Sequence, residues 1–131
     1  MNLLLDTHII LWSASEPERL PEKIAEELED PVNDLWFSPI SVWEVLLLAE
    51  RGRISVEGEI ERSVRDLFRD LPLKEAPLNI EVAIESRNVD IPHQDPVDRF
   101  LAATAIIYDL ILVTADRGIL PTKGLQILDA S

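Results

Sequence analysis

The sequence contains no cysteine at all. Disulfide scaffolds, thiolate metal sites and cysteine nucleophiles are therefore excluded together. Glycine is nearly as scarce, with four residues scattered along the chain, so no glycine-rich loop can assemble to cradle a phosphate. Long apolar runs are missing too: none reaches the ~18 residues needed to cross a bilayer. The first residues lack the basic stretch and cleavage site of a secretion signal. The expectation is a soluble, cytoplasmic protein with no membrane partner. Cations are the remaining shortage. Twelve Lys and Arg stand against 25 Asp and Glu, a net charge of -13. Such a surface repels nucleic-acid phosphates at long range and suits a protein that binds cations or a basic partner chain.

What is present is a foldable chain. Its 131 residues, 47% of them apolar, suffice for one core, so residues 1–131 read as a single domain. Leu3–Leu5 is a short, wholly apolar run that suits a strand buried on both faces, as in a parallel sheet. Asp6 follows it, and Thr7 is placed to cap a helix over Thr7–Ser13. A loop at Glu16–Pro21 leads to a surface helix over Pro21–Glu29, with Ile24, Ala25 and Leu28 inward. Leu35–Ser38 is a second strand, closed by the helix-starting pair Ser38-Pro39.

The helix over Pro39–Arg51 is apolar almost all round and is expected to be largely buried, with Glu44 in its middle and Gly52 at its end. Glu59–Leu71 is amphipathic, its apolar residues Ile60, Val64, Leu67, Phe68 and Leu71 falling at helical spacing. Leu73–Ala76 is a short third strand. Asn79 caps a helix to about Asn88, and Asp95-Pro96 opens another to about Tyr108. Leu110–Thr114 and Leu125–Leu128 complete the strands. Strands alternating with helices imply a parallel α/β sheet of about five strands with right-handed crossovers.

Four carboxylates stand out against this pattern. Asp6 and Asp116 lie just beyond strands, Glu44 lies within an apolar helix, and Asp98 lies in the first turn of the Asp95 helix. A buried acid needs a cation, hydrogen bonds or a raised pKa to offset its desolvation. Converging acids point to a hard divalent ion, Mg²⁺ or Mn²⁺, because their donors are all oxygen. Each acid also has an ordinary reading. Asp6 suits a turn after a strand, and Glu44 an ion pair with arginine. Asp98 complements a helix dipole, Asp95 caps the helix, and Asp116-Arg117-Gly118 forms a turn. His8 and His93 read as packed or accessory residues. Ser38 and Ser41 have no triad partner at a recognisable spacing.

In order along the chain, LLLDTHIILW (Leu3–Trp12), SPISVWEVLLLAERGRI (Ser38–Ile54), DPVDRFLAATA (Asp95–Ala105) and LVTAD (Leu112–Asp116) together resemble the PIN-domain ribonucleases. The likeness is nearest to the VapC toxins of type II toxin–antitoxin pairs. The resemblance implies a three-layer α/β/α sandwich with strand order 3-2-1-4-5, in which Asp6 and Asp116 flank a topological switch point. It carries the family's catalytic, metal-binding quartet onto Asp6, Glu44, Asp98 and Asp116, with Thr114 as the small hydroxyl residue beside the last acid. Thr7, Asp95 and Arg99 are candidates for supporting or substrate-contacting positions.

The activity so implied is Mg²⁺-dependent endoribonuclease cleavage leaving a 5′-phosphate and a 3′-hydroxyl. The implied partners are RNA, a cognate antitoxin with a basic tail, and a second copy of the chain in a homodimer. Setting the four acids aside still leaves about -9, so RNA needs a local basic rim, with Arg99, Arg117, Lys74 and Lys123 as candidates. The competing reading is a catalytically weak PIN-like module acting through an antitoxin-like partner, docked in an apolar groove around Trp36, Trp43 and Leu67–Phe68. A phosphatase with an aspartyl nucleophile fits less well, because the second acid expected two positions after Asp6 is replaced by His8.

Overall fold

Three consecutive leucines organise the chain in space. In the computed structural model, which describes residues 1–92, 94–119 and 122–131, Asn2–Leu5 forms β1, and Leu3, Leu4 and Leu5 are almost wholly inaccessible. Side chains alternate across a strand, so one leucine run supplies two opposite faces. Leu3 and Leu5 pack with Ile9, Ile10 and Ile24 on one side. Leu4 packs with Val97, Leu101 and Ala105 on the other. Both faces of the sheet are thus covered by helices, giving three layers.

Around β1 the sheet adds β2 (Asp34–Phe37), β3 (Leu73–Glu75), β4 (Ile111–Thr114) and β5 (Ile127–Asp129), in the order β3-β2-β1-β4-β5. All four pairings are parallel. Registers Leu4↔Leu112 and Leu5↔Val113 bring the ends of β1 and β4 level. From those two neighbouring ends the chain departs toward opposite edges of the sheet. The expected switch point is therefore present.

The helices are α1 (Thr7–Ser15), α2 (Glu22–Glu29), α3 (Pro39–Glu50), α4 (Ile60–Asp70), α5 (Ile80–Asn88) and α6 (Pro96–Tyr108). Helix starts follow the local chemistry. The Ser38 hydroxyl accepts from the Ile40 N–H at 3.1 Å, the Asn79 carbonyl oxygen from Val82 N–H at 3.0 Å, and the Asp95 carboxylate from Val97 N–H at 3.0 Å. At the far end of α6, Asp109 adopts φ 55°, a left-handed conformation that Asp tolerates and that turns the chain back into β4.

The structure corrects several sequence-based expectations. The cap of α1 is Asp6, without a side-chain capping bond, and Thr7 is its first helical residue. Thr7 is buried, and its hydroxyl instead donates to Ser41 Oγ at 2.9 Å, tying α1 to α3. The segment expected as the loop Glu16–Pro21 contains a 3-10 turn at Pro17–Arg19, and strands four and five begin at Ile111 and Ile127. α3 is buried only along Ser41, Val45 and Ala49, while Trp43 is half exposed. An apolar composition alone cannot tell which side of a helix meets the core. Trp36 is half-buried in the sheet with its Nε1 donating to Asn2 Oδ1 at 3.2 Å, so neither tryptophan lines a groove beside Leu67–Phe68.

Leu4 lies in the middle of β1 and faces α6, so its removal leaves a cavity with no mobile neighbour to fill it. Leu4→Ala should lower stability by about 2–5 kcal/mol in urea denaturation. A loss below about 1 kcal/mol would contradict the packing described.

Candidate active site

The strand ends bring distant residues together first. Asp6 N–H donates to the Val113 carbonyl at 3.0 Å, extending the β1–β4 ladder one residue beyond the strand. Asp6 then lies beside Thr114, whose Oγ1 donates to Asp6 Oδ2 at 2.7 Å across 108 residues of sequence. The same hydroxyl oxygen accepts the Asp116 N–H at 3.0 Å. Thr114 thus fixes both the carboxylate after β1 and the turn after β4. In that turn Asp116 Oδ1 accepts Gly118 N–H at 2.8 Å, so Asp116 plays the turn role expected of it and still faces the cluster.

Helices supply the remaining acids. Asp98, in the first turn of α6, feels the charges of Asp95, Asp6 and Asp116, and hydrogen-bonds to Asp116. Glu44, in the middle of α3, feels Asp6, His8 and Asp95. All four carboxylates singled out in the sequence therefore meet at one end of the sheet. Asp95 joins them as a fifth while also capping α6. Asp6 and Asp98 are buried, at 6% and 9% exposure.

The electrostatic consequence is strong. Burial raises the Asp6 pKa, only partly opposed by the Thr114 hydrogen bond and the neighbouring His8. Burial likewise raises Glu44, against the Thr7 hydroxyl, and the Asp6 charge adds to the rise. Asp98 is pushed up to about 8, by burial first and then by Asp95, Asp6 and Asp116. It stays protonated near neutral pH and donates to Asp116. Like charges held this close share protons when no cation is between them.

The donor set fits a hard divalent ion by type, because every candidate donor is a carboxyl oxygen. Among the described residues, no three histidine or acidic side chains stand in a closed ligating arrangement.

A model of the PIN domain matches residues 3–124. The chain belongs to the PIN-domain family. Its curated relatives include ribonuclease VapC22 of Mycobacterium tuberculosis, 31% identical over 118 residues, covering 88% of this chain and 87% of that protein. Its fold matches the VapBC2 complex of Rickettsia felis bound to a promoter DNA fragment, at TM-score 0.73 and 16% identity over the whole of both chains. It also matches DNA-bound VapBC of Salmonella typhimurium, at TM-score 0.74 and 21% identity, covering 100% of this chain and 99% of that one.

Not every expected residue reaches the site in the expected role. Arg99 does not form a basic rim: it is buried at 6% exposure and turns away from solvent into backbone carbonyls. Lys74 is exposed but engaged, 3.2 Å from Asp34 and over the Trp36 ring. Arg117 and Lys123 remain exposed. His93 lies outside the described residues. His8 is exposed, beside Asp6 and Glu44, with its ring 6.2 Å from that of Trp12. The Thr7–Ser41 bond and the carbonyl partners of Arg99 had no sequence signal, because both depend on packing between separate helices.

The raised Asp98 pKa has a definite effect on stability. A carboxyl whose folded pKa exceeds its unfolded value stabilises the fold below the unfolded pKa, and that contribution is lost as pH rises through the folded pKa. In chelator, Asp98→Asn should leave stability near pH 4 unchanged and raise it at pH 8 by on the order of 1–2 kcal/mol. Thermal melts at both pH values check this, and Mg²⁺ should restore part of the wild-type deficit. A variant equally destabilised at both pH values would contradict the burial of a strained acid here.

Proposed function

We propose that this PIN domain is a Mg²⁺-dependent endoribonuclease, the toxin component of a toxin–antitoxin pair. The observation that carries the reading is the convergence of Asp6, Glu44, Asp98 and Asp116 at the β1–β4 switch point. Membership of the PIN family and the likeness to ribonuclease VapC22 support it. A bound Mg²⁺ (or Mn²⁺) supplies a more acidic water and neutralises charge on the scissile phosphate. Asp6, Asp98 and Asp116 hold that ion, directly or through water. Glu44 completes the cluster from α3 or orients the attacking water. By donating to Asp6, the Thr114 hydroxyl favours its charged form and partly offsets the rise that burial imposes.

Charge and shape support a protein partner as well. Between α3 and α4 lies a cavity of about 780 Å³ with Phe37, Val42, Leu46, Val64 and Phe68 in its wall and Glu50, Glu61, Glu75, Arg65 and Arg69 around it, Glu61 being paired with Arg65. Apolar walls suit the apolar face of an amphipathic segment, and Glu50 and Glu75 offer acidic partners to its basic residues, which is the character proposed for the antitoxin. RNA contacts fall to the exposed cations Arg117, next to Asp116 in sequence, and Lys123. The homodimer is supported by exposed apolar residues on adjoining elements, Ile80 and Ile84 on α5 and Ile107 on α6. A cytoplasmic setting is part of the same proposal, because a toxin acting on cellular RNA works where that RNA is.

Asp6→Asn should reduce Mg²⁺-dependent cleavage of RNA at least ~100-fold with an unchanged far-ultraviolet circular dichroism spectrum. Full Mg²⁺-dependent cleavage in that variant would overturn the assignment. Wild-type protein that binds an antitoxin but never cleaves would instead favour a binding module. Separately, the paired substitution Ile80→Asp with Ile84→Asp should convert a dimer to a monomer in light scattering without loss of helix content. A variant that stays dimeric places the interface elsewhere.

A further inference from the structure

Arg99 is a buried guanidinium that the chemistry proposed above does not use. Its Nε donates to the Ser86 carbonyl at 2.9 Å, Nη1 to Ile91 at 3.3 Å, and Nη2 to Arg87 at 3.3 Å and Val89 at 3.1 Å. Ser86 and Arg87 lie in the last turn of α5, where backbone carbonyls lack helical partners and the helix dipole is negative. Val89 and Ile91 belong to the segment that leads from α5 toward α6. One side chain therefore satisfies the end of one helix from the first turn of the next.

That first turn is the one that carries Asp98. Residues one position apart on a helix project about 100° from each other, so fixing the azimuth of Arg99 also fixes that of Asp98. The Asp95 cap and Pro96 set where α6 starts, but neither sets its rotation about its own axis. We propose that Arg99 is a positioning residue: its grip on the α5 terminus sets the rotation of the α6 first turn and so aims Asp98 at Asp6 and Asp116. Three separate nitrogens of a rigid fork are used, which the single ammonium of lysine cannot reproduce. The inference rests on the reading of the acids as a metal site. Displacing a ligand by about 1 Å is enough to weaken such a site substantially.

The test is Mn²⁺ binding to the full chain, followed by electron paramagnetic resonance, with amide hydrogen exchange on the metal-free protein as a second readout. Arg99→Lys and Arg99→Met should each weaken Mn²⁺ binding by about 5-fold or more, and should speed exchange at Asp98 and its neighbours in the α6 first turn. Ile24→Ala, at a buried position of α2 packed against β1, controls for general loss of stability: it should lower the melting temperature and leave Mn²⁺ affinity unchanged. Should Arg99→Met fail to fold, Arg99→Lys alone decides. Mn²⁺ affinity of Arg99→Lys within about twofold of wild type overturns the positioning role, as does an equal weakening in Ile24→Ala. Failure of the wild-type protein to bind Mn²⁺ overturns the metal reading itself, a distinguishable result.

Discussion

Carboxylates repel one another, and this fold holds Asp6, Asp98 and Asp116 close enough that one of them keeps its proton near neutral pH. Every element around the switch point can be understood as working against that repulsion. β1 contributes Asp6 from a strand buried on both faces, where Leu3, Leu4 and Leu5 leave it no freedom to withdraw. Thr114 bonds to Asp6 from the neighbouring strand. α6 contributes Asp98 from a first turn capped by one acid and tied through Arg99 to the preceding helix. Buried apolar residues directly beside the acids, Leu5 before Asp6 and Val97 before Asp98, anchor them against that repulsion.

This arrangement also explains how so acidic a protein can act on a polyanion. The net charge of -13 is unfavourable for RNA at a distance. On the proposed reading, the same negative charge within the site would concentrate a divalent cation, and that cation would meet the phosphate. Long-range repulsion and short-range attraction thus have one origin. The acidic surface also favours a basic protein partner over free RNA, which fits a nuclease meant to be held in check.

Much of this was legible in the sequence, for identifiable reasons. Strand order and layer number followed from motifs whose spacing matched a family, and the four acids were conspicuous because each sat beside apolar residues or at a strand end. Element limits were less legible. Thr7 has the chemistry of a helix cap, yet its hydroxyl found Ser41, a partner 34 residues away, which no local rule contains. α3 is apolar on nearly every side, so its composition could not say that Trp43 faces outward. Arg99 was mistaken for a surface cation because arginine is mostly exposed and its carbonyl partners are backbone atoms, invisible in any pattern of side chains.

By itself, then, the sequence determined the number and kind of elements, the parallel sheet and the identity of the acids. Those properties depend on periodicity, on capping chemistry and on which residue types can be buried. Only the tertiary structure decided which hydroxyl meets Asp6, that Asp98 lends its proton to Asp116, and that Arg99 points into the protein. These depend on distances between chain segments up to 108 residues apart, and such distances are set by packing of the whole core.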